Sequence, residues 1–373
     1  MQSITVKAPG RINLIGEHTD YNNGFVLPAA IQKAATVTIE KRTDNLVVLT
    51  ALDLNESITI SLVDMKPSSI QWANYMIGVI AQIQKKHNFP IGFSITLKSD
   101  IPIGAGLSSS AAIECAVAYA LNELFAFGID KMELALMAQK AEQEYAGVQC
   151  GIMDQFASLF GKKDQVVLLD CKTMEYQYFP LELKEYSIVL FDTQIKHALA
   201  SSEYNTRRLE CEAGVAMIQS KYAQVNSLRD ANLHMLNECV NASLYPIVYN
   251  RCKYVIQEIE RTIGATQNLA ANDLKCFGEK MFATHEGLSK LYEVSCPELD
   301  LLVDAVKNKE GAVGARMMGG GFGGCTINIV KTNAVNDLIK EVEIAYQVNT
   351  GKALLHYIVS IEDGANEITN SKF

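Results

Sequence analysis

The most restrictive stretch of this sequence is 91–126. A β-branched run at 91–97 reads as a strand, and 109–126, rich in alanine, reads as a helix. Between them lies Ile101-Pro-Ile-Gly-Ala-Gly-Leu-Ser-Ser-Ser110. Glycine lets backbone wrap closely around a ligand. The first N–H groups of a helix have no internal partner, and its dipole favours an anion. Gly104, Ala105, Gly106, Leu107, Ser108, Ser109 and Ser110 therefore read as a phosphate-binding loop. A plain turn with a serine cap accounts for one serine, but not for three beside two glycines. No lysine follows the loop, so the Walker pattern is not met.

Two further segments are marked by glycine. In Ala8-Pro-Gly-Arg-Ile-Asn-Leu-Ile-Gly-Glu-His-Thr-Asp20, a would-be strand is broken by Pro9-Gly10 and carries Arg11, Glu17, His18 and Asp20 between apolar residues. A half-buried loop with aimed polar groups suits hydroxyl recognition, since carboxylates accept from hydroxyls and imidazole can donate or accept. A solvated charged turn is the plainer alternative. Met318-Gly-Gly-Gly-Phe-Gly-Gly-Cys325 contains a formal G-x-G-x-x-G, but a strand follows it where a dinucleotide fold needs a helix. It reads either as a hairpin turn or as a place where backbone approaches a substrate or another domain closely.

The remaining elements follow the same logic. Strands are expected at 3–8, 31–41, 46–52, 165–170 and 187–192, with Asp44-Asn45 as a hairpin turn. Asp130, with Glu133 three residues on, opens a helix over 131–146. From 201 to 293 the pattern is long and helical. The 373 residues predict two domains, with a boundary near 175: 1–175 and 176–373. No linker separates them, so close packing is expected.

A net charge of −9 gives no basic footprint for nucleic acid, and makes a metal the expected partner of any bound phosphate. The nine cysteines contain no C-x-x-C pair and read as buried thiols of a reducing cytoplasm. Neither a signal peptide nor a membrane span is read, so the expectation is a cytoplasmic monomer without membrane partners.

Taken together, the three segments resemble the GHMP kinases, the superfamily of galactokinase, homoserine kinase and mevalonate kinase. GRINLIGEHTDYNNGFVLP, at 10–28, is similar to the signature of the galactokinase family. Trp72-Ala-Asn-Tyr75, Cys150-Gly-Ile-Met-Asp-Gln155, Ser202-Glu-Tyr-Asn-Thr-Arg-Arg208 and Ser295-Cys-Pro-Glu-Leu-Asp300 extend the resemblance over nearly the whole chain, in the expected order. It implies an α+β, two-lobed GHMP kinase fold, with an N-terminal lobe like domain 2 of ribosomal protein S5 and a ferredoxin-like C-terminal lobe. Family members usually carry more chain ahead of the first motif, which puts the N-terminal packing in question.

The resemblance also implies the chemistry: transfer of the γ-phosphate of ATP to the C1 hydroxyl of galactose, with magnesium. Arg11 and Asp154 would sit beside that hydroxyl and the transferring phosphoryl group. Glu17, His18, Thr19, Asp20, Gly151 and Tyr204 would bind the sugar. Residues 104–110 would cradle the phosphates, Ser110 and Glu142 would hold magnesium, and Trp72 and Tyr75 would flank the adenine. Without the resemblance, Asp154 reads equally as a helix cap, Trp72 as a core residue, Glu142 as an exposed helix charge and Tyr204 as packing. The same fold could serve N-acetylgalactosamine or another monosaccharide. A non-catalytic sugar and ATP sensor regulating transcription is the rival from another class, but such regulators tend to alter the glycine–serine loop, which is intact here.

Overall fold

The computed structural model describes residues 2–181, 183–195 and 200–368. Strands β1 (Ser3–Asn13), β2 (Phe25–Val26), β3 (Pro28–Lys41), β4 (Leu46–Ala51), β5 (Glu56–Ser61), β6 (Phe93–Ser99), β7 (Gln165–Asp170) and β8 (Tyr176–Pro180) build the N-terminal lobe. With β13 (Asn366–Glu367), five of them form a sheet ordered β13-β1-β3-β6-β4-β5, and β2-β7-β8 form a second, smaller one. Helices α1 (Gln71–Gln84), α2 (Ser109–Phe125), α3 (Lys131–Ala141) and α4 (Met153–Phe160) pack on this lobe. Ala112, Ala116 and Ala120 are fully buried in α2, and such small side chains let it lie close to β1 and β3. Asp130 caps α3 by accepting from the Glu133 amide at 2.9 Å, a contact worth about 1 kcal/mol.

The C-terminal lobe holds α5 (Ala200–Gln219), α6 (Leu233–Cys239), α7 (Pro246–Ala270), α8 (Leu274–Lys290), α9 (Pro297–Val306) and α10 (Val335–Thr350). Its strands β9 (Tyr186–Asp192), β10 (Ala312–Met317), β11 (Cys325–Lys331) and β12 (Leu355–Val359) run antiparallel in the order β10-β11-β9-β12, the ferredoxin-like arrangement. One apolar core continues from the N-terminal sheet through Ile188, Leu190 and Ile327 into the second lobe. The lobes are therefore packed together and not tethered.

One expectation is corrected. Asp44-Asn45 does not close a hairpin of β3 on β4, because β6 lies between them, antiparallel to β3 and parallel to β4. The link between β3 and β4 is bound to residue 92 instead: Arg42 N–H donates to Gly92 O at 2.9 Å, and Gly92 N–H to Asp44 O at 2.6 Å. The expected boundary near 175 lies in the turn between β7 and β8, which pair, a few residues before the two sheets part. The sheets separate between β8 and β9, and the tail returns to the first lobe, where β13 covers the outer edge of β1 at Val6 and Lys7.

Candidate active site

The break at Pro9-Gly10 shifts the β1–β3 register and leaves Arg11 facing the start of α4. Arg11 Nε and Nη2 donate to the two carboxylate oxygens of Asp154 at 2.8 and 3.0 Å, a bidentate pair with both charge and geometry in its favour. Its third nitrogen, Nη1, donates to Gly106 O at 2.7 Å. The Ser108 hydroxyl donates to Asp154 Oδ2 at 2.5 Å. Asp154 lies in the first turn of α4 and makes no cap hydrogen bond, so its carboxylate serves this cluster and not the helix end. Burial opposes the charge on Arg11, but Asp154, Glu17 and Asp20 outweigh it and hold the guanidinium more firmly protonated than in water.

The glycine–serine loop runs from β6 to α2. Ala105 and Leu107 bury their side chains in the core, while Gly104 and Gly106 take positive φ values of 83° and 75°. Of residues 104–110, only the glycines and the serines are thus left accessible. The other glycine segment packs on this loop. A Cβ on Gly319 would lie 3.3 Å from Gly106 O, and one on Gly324 3.3 Å from Ala105 O. Both of its readings hold: the segment is the turn of the β10–β11 hairpin, and its backbone approaches the other lobe closely.

Helix α3 runs on into a π-helical turn, Glu142–Ala146, a feature that often marks functional sites. Glu142, at its start, is buried, so the exposed-charge reading fails. Its carboxylate accepts from Ser110 Oγ at 2.9 Å and Gln155 Nε2 at 2.7 Å. Burial, then the charge on Asp154, raise its pKa. Glu114 in α2 is fully buried and accepts from the same Gln155 Nε2 at 3.1 Å, while its Oε1 has no partner. Burial and Glu142 push its pKa well above the usual range. This corner is short of positive charge, which fits a divalent cation. Among the described residues no three His, Cys, Asp or Glu side chains gather to enclose a metal alone. Magnesium, which takes few protein ligands and completes its shell with phosphate and water, suits such a set.

Tyr75, on α1, feels these same acids: burial, then Glu142 and Glu114, push its pKa to about 12. Trp72 is half-buried against the N-terminal core, and its indole N–H donates to Glu56 Oε2 at 2.5 Å.

Beside Arg11 and Asp154 opens a cavity of about 110 Å³ that Glu17, His18, Asp20, Gly151 and Tyr204 border. His18 holds Tyr21 Oη at 2.8 Å through Nδ1, and its buried Nε2 has no partner. Burial lowers its pKa to about 4, so the ring is neutral at neutral pH. Burial, then the neighbouring charge of Asp154, lift Asp20 to about 7. Gly151 is glycine because Asp20 leaves no room: a Cβ there would lie 2.0 Å from Asp20 Oδ2. The Tyr204 ring packs 5.2 Å from that of His18. Thr19 departs from the expected set. It is fully buried, does not border the cavity, and has its hydroxyl 2.8 and 2.6 Å from Gly16 O and Phe25 O, so its polarity is used to shape the loop. A roomier cleft of about 640 Å³, between the β7–β8 hairpin and β12, brings no comparable acid cluster together.

Sequence reasoning missed several residues here. Glu114 and Gln155 were hidden in apolar helical runs. Glu258, on α7, is fully buried and accepts from Gly16 N–H at 2.9 Å, tying the first motif to the second lobe. Arg316 makes several such ties. For Glu114 a charged residue inside a strongly apolar helix was the available signal; Gln155, Glu258 and Arg316 had no comparable one.

A bidentate arginine–carboxylate pair set against a helix-opening glycine–serine loop, in a two-lobed α+β fold, defines a phosphoryl-transferring kinase. Models of known families match in the same places: the GHMP kinases N terminal domain at 74–162, the galactokinase galactose-binding signature at 2–41 and the GHMP kinases C terminal domain at 265–347. The chain is 42% identical to a galactokinase of Thermotoga maritima over 97% of its own length and 99% of that protein. It is also 42% identical to one of Clostridium acetobutylicum, over 97% and 94%. Its structure matches that of Lactococcus lactis galactokinase complexed with galactose with a TM-score of 0.94 at 34% identity, covering 98% of this chain and 95% of that one. Methanococcus jannaschii mevalonate kinase, at 20% identity and a TM-score of 0.66, shares the fold. The chain belongs to the galactokinase family of the GHMP kinases.

Proposed function

We propose that this chain transfers the γ-phosphoryl group of ATP to the C1 hydroxyl of α-D-galactose, giving galactose 1-phosphate and ADP. The observation that carries the reading is the meeting of Arg11, Asp154 and Ser108 at the edge of a cavity bordered by the galactose-signature residues Glu17, His18 and Asp20. Asp154 orients the C1 hydroxyl and takes its proton. A sugar hydroxyl is a poor acid, so the proton leaves late in a loose transition state. Arg11, already gripping Asp154 and Gly106, is fixed where it stabilises charge on the transferring group without reorganising. Positioning and preset electrostatics then supply most of the rate.

Glu17, Asp20, the neutral His18 ring and Tyr204 bind sugar hydroxyls. His18 Nε2, buried and unsatisfied, is a natural partner for one of them. A polar group aimed at the axial C4 hydroxyl would reject glucose by leaving itself unpaired. Residues 104–110 cradle the phosphates, and Trp72 and Tyr75 flank the adenine. Ser110 and Glu142 would hold magnesium, which when bound neutralises phosphate charge. The nine cysteines of the chain are all unpaired, and no helix among the described residues is long and apolar enough to cross a membrane. We propose a cytoplasmic setting and a monomer.

The test is ATP consumption with and without galactose. Turnover should appear only with the sugar and magnesium present. Equal ATP consumption in its absence would reject the proposal and leave an ATPase or a sensor.

A further inference from the structure

We propose that Arg316 is a positioning residue for the sugar site, holding the Glu17 carboxylate from the opposite lobe so that one oxygen is fixed and the other is presented to substrate. The inference rests on the reading of Glu17 as a sugar ligand. Arg316 lies on β10, in the second lobe, and is fully buried. Its guanidinium donates from Nε to Leu14 O at 2.8 Å, from Nη1 to Met317 O at 2.7 Å, and from Nη2 to Asn13 O and to Glu17 Oε1, the last at 3.0 Å. Two of those acceptors are carbonyls of the first motif, so one side chain fixes both the strand that enters the sugar loop and a carboxylate within it. A buried charge is tolerated only when it is paired and hydrogen-bonded, and Glu17 is the carboxylate paired with this one.

Glu17 Oε1 takes a second donor as well, the Gly319 amide at 2.7 Å. Both donors meet on the same oxygen. Glu17 also borders the cavity, which leaves Oε2 for a ligand. Burial would push this carboxyl up, but Arg316, then Arg11 and the Gly319 amide, overcome it and hold it below the usual range. It therefore stays an acceptor. Gly319 is also the residue whose backbone approaches Gly106. One of the two groups that set this carboxylate, the Gly319 backbone, thus also abuts the phosphate loop. Lysine could not substitute, because its ammonium is a point charge without the planar fork that reaches four acceptors.

The test is a double-mutant cycle in the full chain with Arg316→Lys and Glu17→Gln, reading KM for galactose, KM for ATP and kcat. Arg316→Lys should raise the galactose KM by about tenfold or more while the ATP KM stays within about twofold. In the Glu17→Gln background the same change should add less than about twofold, because the group through which Arg316 acts is already impaired. An unchanged galactose KM, or equal fold-changes in the two backgrounds, overturns the proposal. Should Arg316→Lys not fold, the wild type provides the readout: the guanidinium ¹⁵N resonances of Arg316 should shift when galactose saturates the site, and their indifference to sugar overturns it. A wild type that does not phosphorylate galactose would instead sink the sugar reading itself, so the two failures are distinct.

Discussion

At the scale of single residues, the site is a set of charges made tolerable by one another. Asp154→Asn keeps the shape but removes the proton acceptor and half of the Arg11 pair. It should lower kcat by about 10²–10⁴-fold with little change in galactose binding, read by steady-state kinetics beside equilibrium sugar binding. Asp20 makes a prediction about pH. Its folded pKa of about 7 lies above the ordinary 3.8, so the folded chain binds this proton more tightly than the unfolded chain does. Its contribution to stability is full below about 4 and is lost as pH rises through about 7. Without sugar, Asp20→Asn should therefore melt close to wild type at pH 4 and above it at pH 8; a gap that does not widen with pH would contradict the assignment. Gly151→Ala should raise the galactose KM, since the new methyl displaces Asp20. Much of this clustering was legible in advance, because Arg11, Glu17, His18 and Asp20, which border one cavity, crowd into one short segment of sequence. Thr19 stands apart for a local reason: its hydroxyl is satisfied by loop carbonyls, which sequence proximity to Asp20 does not reveal. Glu114 was passed over because the other nine residues of the AAIECAVAYA run are all hydrophobic.

At the scale of elements, the site depends on how three chain segments end. The loop before α2 delivers Ser108 to Asp154, the first turn of α2 delivers Ser110 to Glu142, and the π-turn after α3 brings Glu142 to meet it. Ser110→Ala should raise the magnesium concentration needed for half-maximal rate, measured by titration at saturating ATP and galactose. The 318–324 turn is held by close backbone contacts. Gly321 has a φ of +84°, and a Cβ there would lie 2.1 Å from Val294 O. Gly321→Ala should cost about 1–3 kcal/mol in a urea unfolding experiment. The beginnings of α2 and α3 were readable nearly to the residue, because Gly-Ser and Asp130-x-x-Glu133 are local signals with a local cause. The supposed hairpin at Asp44-Asn45 failed because strand pairing is not local: β6, from beyond α1, takes the place beside β3.

At the scale of the molecule, the two lobes are bound through the first motif. Arg316 and Glu258 from the second lobe grip Asn13, Leu14, Gly16 and Glu17, so the sugar loop is as much part of one lobe as of the other. The tail adds another tie, with β13 on β1 and Glu362 N–H donating to Ala30 O at 3.0 Å. The change of texture suggests a division near 175, and the sheets part just beyond it, between β8 and β9; the return of the tail to its starting lobe has no such signal in the sequence. The claim on which all three scales converge is phosphoryl transfer to the anomeric hydroxyl of galactose at the Arg11–Asp154 pair. It is tested most directly by ³¹P NMR of the products formed from ATP and magnesium with galactose, glucose or N-acetylgalactosamine. The account predicts an anomeric sugar phosphate from galactose, one for each ADP, and little from glucose. Phosphate on another carbon, equal yields from glucose, or ADP without any sugar phosphate would contradict it.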